Sequence, residues 1–164
     1  MRSAAQRRRC GVGGERGAGV VADWLGGAAS TDRTGDAVSV RFAGYAAVFD
    51  RVDSGGDIVR RGAFAEALKR AGEVPLLLQH KAGRVLGRIE HLSEDKRGLR
   101  VIASVEDRAI GAMLQSGRLS GLSFGYQVRE ARSGAHRELI DLNLVEVSLV
   151  AQPMQRLARV HAVE

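Results

Sequence analysis

From residue 37 to 49 the chain reads "AVSVRFAGYAAVF", an alternation of apolar and smaller or polar positions that predicts a long strand bent at Gly44. The acidic, glycine-rich stretch "DRVDSGGD" (50–57) then predicts a loop; its Asp50, Asp53 and Asp57 lack the spacing of a calcium loop, so turn chemistry accounts for them. In "GAFAEALKRAG" (62–72) the period lengthens, placing Phe64, Ala67, Leu68 and Ala71 on one side of a short helix that Gly72 stops. The apolar run of "EVPLLLQH" ends on His80. "RVLGRIEHL", the polar turn "SEDKRG" and "LRVIASV" predict a hairpin, and "DRAIGAMLQSG" (107–117) predicts a second helix capped by Asp107 with Ile110, Met113 and Leu114 inward. Two further strands, "LSGLSFGYQVREA" and "RELIDLNLVEVSLVA", flank the turn "RSGAH", and "PMQRLARVHAVE" reads either as a final strand or as a loose end.

These runs add up to an α+β chain, mainly β, of six or seven strands: a compact antiparallel β-barrel, closed or partly closed, flanked by a few short helices. A length of 164 residues suits one domain with a real core, and 45% apolar with 27% charged residues is a globular composition. Residues 1–36 hold eight glycines and, apart from a patch at Val20–Leu25, no sustained apolar period, which predicts a disordered Gly/Arg-rich arm. The folded domain is then expected over 37–155, with 156–164 as a C-terminal tail. The basic start lacks the apolar segment of a signal peptide, and no run of about 18 apolar residues offers a membrane span. Cys10 alone excludes an internal disulfide.

A formal charge of +6 raises the question of nucleic acid. Arginine outnumbers lysine 22 to 3 but is spread along the chain, four of the arginines lie in the first ten residues, and seven aromatic residues leave little for stacking on bases. A solvated basic surface is the better reading, and no specific nucleic-acid partner is expected.

Three residues stand out as candidate chemistry. In "SGLSFGYQV" strand geometry puts Ser123 with Gly125 and Gln127 on one face and Leu122, Phe124, Tyr126 and Val128 on the other, while Gly121 and Gly125 keep the serine's face open to a substrate backbone. Free N–H groups beside the serine could hold an oxyanion; alternatively, the residue is an ordinary solvent-facing serine between two bulges. His80, on the face of Leu76 and Leu78 if the strand continues, is placed to be a neutral general base, or simply ends a strand. Glu146 interrupts an apolar strand on the face of Leu142, Leu144, Ser148 and Val150; a buried carboxylate there needs a partner, and a histidine N–H would serve, unless that face is wet. His91, His136 and His161 suggest no role, no pair of histidines has metal-ligand spacing, and no cofactor is expected.

Taken in order, "FAGYAAVFDRVDSGGDIVRRGAF", "VPLLLQHKAGRVLGRI", "RGLRVIASV", "LQSGRLSGLSFGYQV" and "LNLVEVSLVAQPM" closely resemble the caudovirus prohead serine protease family over about residues 40–155. The resemblance implies a β-barrel fold similar to the herpesvirus assembly proteases. It also implies a serine endopeptidase, inside the immature capsid in the bacterial host's cytoplasm, that cleaves scaffold-like extensions of the major capsid protein and itself. Homodimerisation is an expectation from the same relatives. On the matching positions Ser123 is the nucleophile and His80 the base. The herpesvirus-like pattern places a histidine third, where this chain offers Glu146, and "PM" at Pro153–Met154 replaces the family's "PA". The Phe124 or Gly125 backbone N–H, or a group near Arg156, are the candidate oxyanion donors. A non-catalytic capsid assembly protein of the same fold is the alternative.

Overall fold

Alternation over 40–48 becomes strand β1, Val40–Val48, with Val40 and Phe42 buried and Arg41 between them exposed. The computed structural model describes residues 39–70 and 72–164, so the expected arm over 1–36, Cys10, and Ala71 of the expected first helix lie outside the described residues. After β1 come β2 (Asp57–Val59), helix α1 (Ala65–Arg70), β3 (Leu76–Leu78) and the hairpin β4 (Val85–Glu94) and β5 (Gly98–Val105). Helix α2 (Arg108–Gln115), the long hairpin β6 (Gly121–Ser133) and β7 (Arg137–Val150), and β8 (Val160–Val163) complete the described elements.

Both helices form where the period predicted them. The Asp107 carboxylate accepts from the N–H groups of Ala109 and Ile110, at 2.9 and 3.1 Å, capping α2 and leaving Ile110 and Leu114 buried. Helix α1 starts three residues later than expected because Gly62 sits at φ 85°, and the turn there delivers Phe64, fully buried, to the core. The C-terminal segment, left open by the sequence, supplies β8, which pairs antiparallel with β1.

The architecture is mainly β, as expected, and strongly curled; its sheet is mixed rather than purely antiparallel. Strand β7 is the hinge of this arrangement. β6 runs antiparallel along one edge of β7, while β2 and β3 divide the other edge and both run parallel to it. Adjacent runs in a sequence signal hairpins, whereas a parallel neighbour must arrive from far along the chain and leaves no local mark. From β3 the sheet continues through β4, β5 and β1 to β8. Residues 158–160 then draw the ends together: Leu122 N–H donates to Ala158 O, Val160 N–H to Ser120 O and Tyr45 N–H to Arg159 O, at 2.8–3.0 Å. Gly44 is where this closure touches β1, since a Cβ there would stand 2.3 Å from Arg159 O. The core fills the curl, with Phe42, Leu76, Leu99, Val101, Leu122, Leu142, Val147 and Leu149 within 2% of complete burial.

The acidic loop does turn work and more. Asp53 accepts from Gly55 and Asp57 N–H groups, whereas Asp57 is buried and receives Arg137 and the Tyr126 hydroxyl. Asp50 lies between Arg60 and Arg61, and the hydrogen bond from Arg60 holds its carboxyl below the ordinary range. Arg60 also bonds Glu138, and Arg41 bonds Glu90, so part of the arginine excess is spent on carboxylates of the same fold.

Candidate active site

The register of β6 on β7 sets the site. Ser123 lies opposite Ser148 and Gly125 opposite Glu146, so these four share one face, while Leu122, Phe124, Val147 and Leu149 share the core face. Phe124 meets the buried Phe64 ring edge to face, with centroids 5.1 Å apart, which anchors the nucleophile candidate's strand from behind.

Glu146 reaches this face through an irregularity. Tyr126 pairs with Leu144 and Gly125 with Glu146, leaving Val145 as an extra, exposed residue, a β-bulge. The bulge corrects the expectation that Glu146 shares a face with Leu142 and Leu144: those leucines face the core, and Glu146 and Ser148 face the other way. Glu146 is nevertheless only 6% exposed, so it is not wet, and both its oxygens are engaged. Oε1 lies 2.6 Å from His80 Nδ1, and Oε2 accepts from the Ser148 hydroxyl at 2.5 Å.

His80 also arrives by a turn that the sequence did not announce. Strand β3 stops at Leu78, and Gln79 and His80 both take left-handed backbone conformations, φ 52° and 59°. Continued as a strand, His80 would have followed Leu76 and Leu78 towards the core; instead the turn carries it to the face of Leu77, which pairs in register with Ser148. Leu149 O accepts from Gln79 N–H at 2.9 Å, and the Ser148 hydroxyl accepts from His80 N–H at 3.1 Å. The imidazole remains 44% exposed while its carboxylate partner is buried.

The structure thus joins His80 and Glu146 directly, and brings Ser123 to them through strand register rather than through a hydrogen bond to the imidazole. Ser123 is 8% exposed. With Nδ1 directed at Glu146, Nε2 is the ring nitrogen left for a substrate or a hydroxyl. A carboxylate only accepts, so pairing with one places a proton on Nδ1, and in the neutral ring the lone pair then lies on Nε2. Such an arrangement can take a proton from a serine hydroxyl and return it to a leaving group.

The two glycines flanking Ser123 do not leave the open space expected of them. A Cβ at Gly125 would stand 2.5 Å from Glu146 Oε1, and one at Gly121 would stand 2.3 Å from Val150 O and 2.9 Å from Pro153 Cδ. Gly125 makes room for the carboxylate, and Gly121 for the chain that follows β7. That chain, residues 151–159, borders β6 and carries Arg156; Arg159 donates to Ser120 Oγ and to Arg156 O. Its buried anchor is Gln155, whose amide bonds Val48 N–H, Val48 O and Arg51 O.

A model of the family described as caudovirus prohead serine protease matches residues 28–164, most of the chain. The chain belongs to this family. The match is wider than the span of the motifs at both ends. The prohead protease of Enterobacteria phage HK97 is 36% identical over 102 residues, 58% of this chain and 45% of that protein. The capsid scaffolding protein of equine herpesvirus 1 (strain Ab4p) is 31% identical over 107 residues, 64% of this chain and 16% of that protein. The chain therefore spans less than half the length of these curated relatives. Among solved structures, the bacteriophage T4 capsid assembly protease aligns with TM-score 0.55 at 13% identity, covering 69% of this chain and 82% of its own. Varicella-zoster virus protease aligns with TM-score 0.52 at 15% identity, covering 77% and 64%. At such identities these likenesses speak for the fold, which is that of the herpesvirus proteases.

Membership places this chain in a family of peptidases. Sequence reasoning missed Ser148 and the space-making part of Gly125. Ser148 had left a signal, a hydroxyl two residues past Glu146 in a run otherwise made of valine and leucine. Among the described residues no group of three or more His, Cys, Asp or Glu could hold a metal ion, and no helix is long and apolar enough to cross a membrane. His91 bonds Ser93 and His161 lies against Tyr45, both away from Glu146.

Proposed function

We propose that this chain is a serine endopeptidase of phage prohead maturation that cleaves scaffold-like extensions of the major capsid protein, and itself, through an acyl-enzyme. The observation that carries the reading is the 2.6 Å contact of His80 Nδ1 with the buried Glu146 carboxylate on the face that holds Ser123. Family membership supports the substrate class, since the HK97 relative is a prohead protease.

In this reading Nε2 of His80 takes the Ser123 proton as Oγ attacks the scissile carbonyl carbon. The carbonyl π electrons move to oxygen, and the oxyanion is held by the Phe124 or Gly125 backbone N–H or by a group on the Arg156 loop. The C–N bond then breaks, its electron pair takes the proton from His80 Nε2, and the amine leaves an ester on Ser123. Water, deprotonated by His80, resolves that ester by the same two steps. Glu146 orients the imidazole and offsets the positive charge that the ring carries between transfers. Ser123 rather than Ser148 is the nucleophile, because Ser148 is wholly buried and its proton is committed to Glu146.

Co-expression of the chain with the major capsid protein of its own genome, read by intact mass, tests this. Ser123→Ala and His80→Ala should each abolish trimming while circular dichroism remains that of the folded chain. Trimming at the normal level in Ser123→Ala refutes the nucleophile. Capsid assembly that requires the chain, with no trimming even by the unmodified chain, would point instead to a non-catalytic assembly protein.

A further inference from the structure

Ser148 is 0% exposed, yet it carries a hydroxyl between Val147, Leu149 and Val150, all buried. A buried strand position ordinarily favours a β-branched or aliphatic side chain, and a hydroxyl there is costly unless bonded. This one is bonded twice. Its single proton goes to Glu146 Oε2 at 2.5 Å, and its oxygen accepts the backbone N–H of His80 at 3.1 Å.

We propose that Ser148 is a positioning residue that locks the base and its carboxylate into one unit, a role that rests on the reading of His80 and Glu146 given above. Two constraints meet in its hydroxyl. Glu146 Oε1 faces His80 Nδ1, so fixing Oε2 stops the carboxylate from rotating away from the ring. His80 sits at φ 59° directly after Gln79 at φ 52°, two successive non-glycine residues in a conformation that persists only where surroundings over-determine it. The hydrogen bond from His80 N–H to Ser148 Oγ is one of those determinants, beside Gln79 N–H to Leu149 O and Lys81 N–H to Leu78 O. Loss of the hydroxyl frees the carboxylate and the main chain of the base together, whereas any other single bond of the turn holds only one of them. Ser148 touches no reacting atom, and it acts through Glu146 and His80.

The experiment measures phosphonylation of the full chain by a fluorophosphonate, followed by intact mass between pH 6 and 9, together with nitrogen-15 spectra of the His80 ring. Ser148→Ala should slow labelling about 10- to 100-fold, by analogy with other partners that orient a histidine. It should also displace the pH profile and weaken the Nδ1–H signature. Ser148→Thr, which keeps the hydroxyl, should recover most of the rate. In a Glu146→Gln background the same Ser148→Ala change should cost less than about threefold, because the group it acts through is already altered.

A wild-type rate and pH profile in Ser148→Ala overturns the inference, and so does an undiminished effect in the Glu146→Gln background. Should Ser148→Ala fail to fold, Ser148→Cys keeps the volume with a weak donor, and labelling within twofold of the unmodified chain overturns it equally. Failure of the underlying reading looks different. Labelling would persist in Ser123→Ala, or Glu146→Gln alone would leave the rate unchanged.

Discussion

A single methyl group at residue 125 separates the catalytic reading from a purely structural one. In Gly125→Ala the new Cβ would stand 2.5 Å from Glu146 Oε1, 2.9 Å from its Cγ and 3.1 Å from its Cδ. Non-bonded heavy atoms rest near ~3.5 Å, so the carboxylate must retreat by roughly 1 Å. The oxygen displaced is the one 2.6 Å from His80 Nδ1, and the retreat takes that contact out of hydrogen-bond range. A hydrogen bond to a charged group contributes ~1.5–3 kcal/mol, and 1.36 kcal/mol is a factor of ten in rate, so the expected loss is about 10- to 150-fold. The stability loss should be near the lower end of the overpacking range, ~1 kcal/mol, because what moves is the end of a side chain rather than backbone. Fluorophosphonate labelling of Ser123 and urea unfolding measure the two quantities on one sample. Gly134→Ala, whose Cβ would meet nothing closer than His136 O at 3.7 Å, is the control and should match the unmodified chain in both. If Gly125→Ala labels within twofold of normal while Glu146→Gln is slow, the carboxylate works from some other position and the reasoning fails.

Asp57→Ala should destabilise the domain by about 2–3 kcal/mol, read from urea midpoints, because it leaves Arg137 beside a site whose carboxylate side chain is only 8% exposed. A broken buried pair costs ~3–5 kcal/mol, discounted here because Arg137 reaches solvent; a change below about 0.5 kcal/mol would show that the pair contributes nothing. Partial desolvation, with Arg97 nearby, holds the surface-exposed His161 imidazole below its ordinary pKa. The unfolded chain therefore binds the extra proton first, and this share of stability is complete above pH ~6.5 and fades as pH falls towards the lower folded value. His161→Phe should flatten the dependence of the urea midpoint on pH between 7 and 5, and an unchanged slope would rule His161 out as its source.

Local periodicity carried the reading of elements, while long-range pairings and two local backbone irregularities were lost. The Asp107 cap, the Ile110 and Leu114 stripe and the β4–β5 hairpin are each decided by neighbouring stretches of the chain, and each forms where expected. The parallel pairings of β2 and β3 with β7 depend on residues about 70–80 positions apart, which periodicity does not register. At the candidate site, Ser123, His80 and Glu146 were legible as residue types in ordered motifs, and the face of Ser123 was legible too, while the faces of His80 and Glu146 were not. Counting by twos from Leu76 put His80 towards the core, and counting back from Glu146 put it with Leu142 and Leu144; the φ angles at 79–80 and the bulge at Val145 reverse both.

Those two irregularities solve the same physical conflict. A regular strand from 142 to 150 would set Leu142, Leu144, Glu146 and Ser148 on one face, joining two leucines that stabilise the core to two polar groups that need partners. Leu142 is fully buried, and exposing a side chain of its size costs ~1.5–3 kcal/mol, while a carboxylate facing the same core unpaired would cost more. One extra residue at Val145 removes the choice: leucines before it face in, Glu146 and Ser148 after it face the site, and the valine itself goes to solvent. The left-handed turn at Gln79–His80 does for His80 what the bulge does for Glu146, lifting it off the core face onto the one that holds the carboxylate. Gly125 then leaves the volume that the Glu146 carboxylate occupies. Register on β7, more than the open surroundings first read around Ser123, is what brings "SGLSFGYQV" into the candidate site.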